Sequence, residues 1–163
     1  MRRKLNLSRQ SSGMSFMELL IVIAMMALAF SFAYTNWKGQ LQKGFDAKRK
    51  GNLNRIQAVL EHYANDNGCY PPAAAMTCGT TIFAAYNMPN LLCDPESKAA
   101  YLYEQVDPAD PCKGYRLYAT VKIWRDNDVE RLGCNDPAQG CCSSGGAGYN
   151  YGVSAGAKVN QCP

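Results

Sequence analysis

The residues able to do chemistry in this chain fall into three groups: eight cysteines, a single glutamate inside an apolar run, and a short acidic turn. The cysteines are Cys69, Cys78, Cys93, Cys112, Cys134, Cys141, Cys142 and Cys162, with none in the first 68 residues. Such clustering points to disulfides formed in an oxidising compartment. Zinc is the competing chemistry, but it asks for closely paired ligands, often with histidine, and here the intervals are irregular and His62 is the only histidine. The sequence does not choose among the many pairings eight cysteines permit, although adjacent Cys141 and Cys142 are expected to take different partners. The acidic turn holds Asp126, Asp128 and Glu130. Their oxygens are of the kind calcium takes, yet the spacing of a calcium loop is missing, so solvation of a turn is the plainer reading and calcium an alternative. One histidine cannot furnish a Ser-His-Asp, Cys-His or H-E-x-x-H arrangement, and the glycine-rich stretch from Gly140 to Gly148 lacks the lysine of a phosphate cradle. No enzyme is expected.

The third group is Glu18. From Met14 to Tyr34 it is the one charged side chain in 21 residues. As a helix rising ~1.5 Å per residue, that stretch would span about 31 Å, the thickness of a hydrocarbon core. A single membrane crossing is therefore expected, with the basic leader (Arg2, Arg3, Lys4, Arg9) on the cytoplasmic side and the cysteine-rich part outside. An ordinary cleaved signal, with Ala27-Leu28-Ala29 as its cleavage site, is the competing reading. Glu18 argues against it, because a carboxylate within the apolar part of a helix costs roughly 2.5 to 3.5 kcal/mol, and such groups tend to be functional. The charge distribution agrees. The chain carries 17 basic and 13 acidic residues, and the four basic residues before Gly13 account for the whole excess. Without them the protein is neutral, with a basic neck (Lys38, Lys43, Lys48, Arg49, Lys50 and Arg55 against Asp46) followed by an acidic remainder. No specific nucleic-acid binding is expected of such a balance.

The stretch from Gly13 through Glu18 into Leu19-Leu20-Ile21-Val22-Ile23-Ala24 resembles the N-terminus of type IV prepilins and type II secretion pseudopilins. In those proteins a short basic leader ends in glycine, and glutamate stands fifth in the mature chain ahead of an aliphatic run. Met14 stands where the family usually has phenylalanine. The resemblance implies cleavage after Gly13 by a prepilin peptidase, which also N-methylates Met14, and polymerisation of the subunits with Glu18 pairing with the terminal amine of a neighbour. Two ions paired in low dielectric turn their desolvation cost into a drive for register. A second segment, Leu60 to Pro71, carries the pattern L-x-x-Y-x-x-D-x-G-x-Y-P and resembles the end of the long helix in major pseudopilins and related pilins.

The elements that would position these groups can be read in order. Helical spacing of Leu41, Phe45, Leu53, Ile56, Val59, Leu60 and Tyr63 predicts that the helix continues beyond the membrane. It is expected to stop at Asn67-Gly68, with Pro71-Pro72 preventing continuation. The turn Lys48-Arg49-Lys50-Gly51-Asn52 offers nothing apolar and reads as a solvated face. Residues 73 to 99 read as a bridged loop, and Ser97 to Val106 as a short helix or an edge strand. Tyr115 to Trp124 alternates and is the clearest strand, with Tyr115, Leu117, Ala119, Val121 and Ile123 on one face. Asp126-Asn127-Asp128 reads as a hairpin turn into a strand at Val129 to Leu132, and Gly148 to Ser154 reads as a third strand. Gly133 to Gly148 reads as a stapled surface loop.

The expected architecture is an α+β pilin-type fold, in which one long N-terminal helix packs on a small antiparallel sheet with a disulfide-rich loop region. Its parts would be a leader (1–13), a transmembrane and polymerisation half-helix (14–35), a soluble half-helix (36–66) and a stapled head (67–163). The resemblance implies a structural subunit of a type IV pilus-like filament for adhesion, motility or uptake, with a type II secretion pseudopilus as the alternative and a non-polymerising membrane-anchored binding domain more distant. Implied partners are further copies of itself, minor pilins or pseudopilins, the prepilin peptidase/methyltransferase, an inner-membrane assembly platform, and membrane lipid before assembly. The implied location is the cytoplasmic membrane first and a filament at the cell surface or across the periplasm afterwards.

Overall fold

A computed structural model describes residues 15–123, 125–141, 143–146 and 148–160, apart from the side chains at 35 and 36. The first proline in the chain is Pro71, and nothing before it forbids helix. A single helix, α1 (Phe16–Asn67), forms. It ends as the sequence predicts: Gly68 takes φ 79°, and its N–H donates to the Ala64 carbonyl at 2.7 Å. Only glycine adopts that left-handed geometry without penalty.

The chain divides into two units, one ending at Gln40 and the other beginning at Leu41. In the first, the described side chains of α1 are exposed throughout, with only Val22 partly covered. Its apolar window has a mean hydropathy of 2.3 and none of it is buried.

In the second unit α1 buries Leu53, Ile56, Val59 and Leu60 against a three-stranded antiparallel sheet in the order β1-β2-β3. The strands are β1 (Leu102–Gln105), β2 (Tyr115–Ala119) and β3 (Tyr151–Ala155). In the central strand Leu117 faces Tyr103 on one side and Val153 on the other. Between α1 and β1 lie two single-turn 3-10 helices, Ala73–Ala75 and Ala84–Tyr86, and a loop that delivers Met76, Phe83, Met88 and Leu91 to the core. The expected α+β fold of one long helix on a small antiparallel sheet, with disulfides, is therefore present. The segment within Ser97 to Val106 takes the edge-strand alternative.

Three expectations are corrected. The strand expected over Tyr115 to Trp124 ends at Ala119. Tyr118, on the face of β2 opposite Leu117, is also fully buried, because its hydroxyl donates to the Val159 carbonyl at 3.2 Å and its ring lies 6.4 Å from that of Tyr149. β2 is thus covered on both sides. Val129 to Leu132 is not a strand: its first three residues belong to α2 (Asn127–Arg131) and Leu132 is the C-cap, with Asp126 as the N-cap accepting the Asp128 N–H at 2.9 Å. An aspartate at that position satisfies a helix donor that would otherwise be orphaned. Leu41, placed on the buried stripe by its spacing, is 49% exposed.

The chain also crosses itself closely at one place. Gly114 (φ 138°) precedes β2 and Gly156 (φ 76°) follows β3; a Cβ on Gly114 would run into the Ala155 carbonyl, and one on Gly156 into the Lys113 carbonyl. Beyond β2, Asn150 acts as a one-residue strand partner. Its side chain accepts the Val121 N–H and donates to the Val121 carbonyl, both at 2.7 Å and fully buried.

Candidate functional site

Glu18 sits in the first turn of α1 with its side chain exposed. A carboxylate there is favoured by the positive end of the helix dipole. Around it the helix presents Phe16, Met17, Leu19, Leu20, Ile21 and Ile23, each between 45 and 73% exposed. Carrying so much uncovered apolar surface in water is untenable for a soluble monomer. The arrangement can do two things: enter a bilayer, or pack against further apolar helices with one carboxylate available for a cation. Gly13 and Met14, where processing is expected, lie outside the described residues.

The turn expected to be solvated is instead the most highly organised ionic site of the second unit. Arg49 is only 4% exposed. Its Nε donates to Asp94 at 2.6 Å, Nη1 to Asp46 at 2.8 Å, and Nη2 to Glu96 at 2.8 Å and to Asp94 at 3.2 Å. Asp46 in turn accepts the backbone N–H groups of Lys122 and Ile123 at 3.1 and 3.0 Å. Lys122 Nζ reaches Glu96 at 2.5 Å. Asp94 further accepts the N–H groups of Glu96 and Ser97 at 2.9 and 2.8 Å. Burial alone would raise the Asp94 pKa, but the donors from Arg49 and from those two amides outweigh it and hold the carboxyl well below the usual range. One turn of α1 is thereby tied both to the loop at 94–97 and to the segment after β2.

The neighbouring Lys50 binds the acidic turn. Its Nζ pairs with Asp126 and, at 2.8 Å, with Asp128, while lying 5.5 Å from the Tyr151 ring centroid. Two of the three calcium candidates thus already hold an ammonium ion. The third, Glu130, lines a different cavity with Arg125, Asn135 and Pro137. Among the described residues no group of three or more His, Cys, Asp or Glu side chains converges as a metal site. His62 is exposed on α1.

These ionic contacts escaped the sequence reading because Arg49 and its partner Asp94 are 45 residues apart. A signal existed nonetheless. Asp46 and Arg49 stand seven and four residues before Leu53, on the same helical stripe that carries Ile56 and Leu60, so the stripe continues with polar residues where it had seemed to stop.

Among the described residues three disulfides join Cys69 to Cys112, Cys78 to Cys93 and Cys134 to Cys141. The first fastens the segment just after α1 to the approach to β2. The second fixes the residue before Asp94, and the Cys93 carbonyl is further held by Asn52 of α1 at 3.2 Å. The third closes a small ring after α2. Cys142 and Cys162 lie outside the described residues. Aromatic packing completes the unit, with Tyr70 edge-on to Tyr115 at 4.8 Å and Tyr103 stacked on it at 5.6 Å. Among the described residues the buried Tyr115 hydroxyl has no hydrogen-bond partner, and burial pushes its pKa far up.

No protein-family model matches the chain, and no solved structure does. Among curated proteins it is similar to the type II secretion system core protein G of Aeromonas hydrophila, with 26% identity over 103 residues, 63% of this chain and 68% of that protein. The similarity thus leads to the same secretion machinery whose pseudopilins the N-terminal sequence resembles.

Proposed function

We propose that this chain is a membrane-anchored filament subunit of the pilin and pseudopilin type. In this reading it is cleaved after Gly13, methylated on Met14, held in the cytoplasmic membrane by the first half of α1, and then polymerised through that same half-helix. The observation that carries the reading is an exposed apolar helix bearing a single carboxylate, Glu18, joined in sequence to a disulfide-stapled unit. A bilayer covers such a helix in the monomer, and neighbouring copies cover it in a filament. Glu18 is then the partner of a neighbour's terminal amine, and its role is assembly and not catalysis.

Of the two kinds of filament, the similarity to a secretion core protein favours the type II secretion pseudopilus. The type IV pilus, which the sequence alone favours, is the second reading and is supported by the stapled ring Cys134–Cys141, most of whose residues are exposed. The partners follow from either: copies of itself, minor subunits, the peptidase that processes it, and an inner-membrane assembly platform. The decisive experiment is intact-mass and N-terminal peptide analysis of protein from membranes. A chain beginning at methylated Met14 is expected; one beginning after Ala29 or Ala33 refutes the proposal. Deleting the gene then separates the filaments, since loss of secreted proteins marks a pseudopilus and loss of surface fibres a pilus.

A further inference from the structure

We infer that Tyr34, Trp37 and Lys38 form a collar that seats in the outer phospholipid headgroup layer and fixes the depth of α1, so that Glu18 lies in the opposite headgroup layer and not within the hydrocarbon. The inference rests on the membrane-anchor reading above and adds to it a register and a ligand, the lipid phosphate.

Three observations carry it. First, Tyr34 and Trp37 are 64 and 72% exposed, and Phe30, Ser31, Ala33, Tyr34 and Trp37 line an open apolar cleft of about 580 Å³. Amphipathic rings of this kind concentrate where hydrocarbon meets water. Second, Lys38 Nζ lies 5.0 Å from the Tyr34 ring centroid, which holds the ammonium beside the aromatic pair, where it can meet a phosphate. Third, the spacing fits. The 19 residues between Glu18 and Lys38 contain no charge. At ~1.5 Å per residue, Glu18 and Trp37 are about 28 Å apart along the axis, close to the ~30 Å of a hydrocarbon core. If Trp37 occupies one interface, Glu18 reaches the other.

This register changes what Glu18 does and when. In the resting membrane its carboxylate is hydrated among headgroups and needs no partner. Withdrawing the subunit outward by one helical turn, ~5.4 Å, carries the carboxylate into hydrocarbon. The demand for a neighbour's amine therefore arises as the subunit leaves the membrane, which couples extraction to pairing and leaves resting monomers unpaired.

Depth-resolved tryptophan quenching tests the inference on the full-length chain in vesicles of phosphatidylethanolamine and phosphatidylglycerol. Bromines are placed either near the headgroup or near the chain end. In a Trp124→Phe background Trp37 is the sole tryptophan, and headgroup-proximal bromines are expected to quench it about twofold more than deep ones. With Trp37→Phe and Leu28→Trp added the order reverses, because Leu28 is midway between the two interfaces. Equal or deeper quenching at position 37 than at position 28, in a chain that floats with the vesicles, overturns the collar and leaves the anchor standing. A chain that fails to float overturns both. Lys38→Leu supplies a second readout: Trp37 is expected to sink and its quenching by deep bromines to rise about twofold, and an unchanged depth removes Lys38 from the collar.

Discussion

Replacing Arg49 by methionine isolates the ionic site that ties α1 to the loop at 94–97 and to the segment after β2. Methionine keeps much of the apolar stem, so the change is mainly one of charge. It strands two carboxylates, Asp46 and Asp94, whose side chains are 3 and 12% exposed. Removing one member of a buried ion pair costs roughly 3 to 5 kcal/mol. The lower end applies, because Asp46 keeps the N–H donors of Lys122 and Ile123, Asp94 keeps those of Glu96 and Ser97, and Glu96 keeps Lys122. Unfolding entropy of about 2.1 cal/mol/K per residue, over a unit beginning at Leu41, makes each kcal/mol worth about 4 °C. Arg49→Met should therefore lower Tm by roughly 12 °C. The assay is near-ultraviolet circular dichroism of the tyrosine-rich core during heating, on the full-length chain in detergent with its disulfides intact. Adding Asp94→Asn should recover part of the loss, giving a coupling of about 1 to 3 kcal/mol in the double-mutant cycle. A fall in Tm below about 3 °C, or strict additivity of the two changes, would refute the assignment of this site as the clamp between helix and head.

Other outcomes follow from the same structure. Because the folded Asp94 carboxyl titrates below its ordinary value of 3.8, its contribution is fully present above that value and fades as pH falls beneath it; Asp94→Asn should flatten stability against pH below about 4, as measured by denaturant midpoints. Removing the Cys69–Cys112 bridge by double serine substitution should cost about 4 kcal/mol against about 3 for Cys78–Cys93, since the sequence separations are 43 and 15, and urea unfolding ranks them. Gly114→Ala should destabilise by at least about 2 kcal/mol, because it combines an unfavourable φ with a clash at the Ala155 carbonyl. In cells, Glu18→Ala should leave processing intact and abolish most filaments, whereas Gly13→Leu should leave the uncut precursor in the membrane; immunoblotting and filament counts read both.

What the sequence showed and what it hid divide along a physical line. Periodic signals were legible: α1 down to its Gly68 stop, the first half of the strand read over Tyr115 to Trp124, the third strand around Tyr151, and, as one of two alternatives, the edge strand before β2. Each depends on residues within a few positions of one another. Features that depend on chain folding back were hidden. Arg49 looked solvated because two of its carboxylates, Asp94 and Glu96, come from residues far along the chain, and the second covered face of β2 went unread because the segment over Tyr118 lies near Val159. Part of the short α2 was misread as a strand because its five residues are too few for periodicity to decide, and the informative residue was the capping Asp126 just before them. At the candidate site, Glu18 stood out by its charge in an apolar run, whereas the aromatic and lysine residues one membrane thickness away are ordinary types that gain meaning only from their spacing.

The bridge from Cys69 to Cys112 also has a mechanical meaning. In the proposed filament each subunit is loaded in tension, and a folded unit that yields releases slack in proportion to the chain it frees. The 43-residue interval closed by this bond would otherwise add about 150 Å of extended chain. With the bond intact that length is withheld even if the surrounding packing gives way, so a pull beginning at α1 bypasses the interval through two sulfur atoms and passes directly to the segment leading into the central strand.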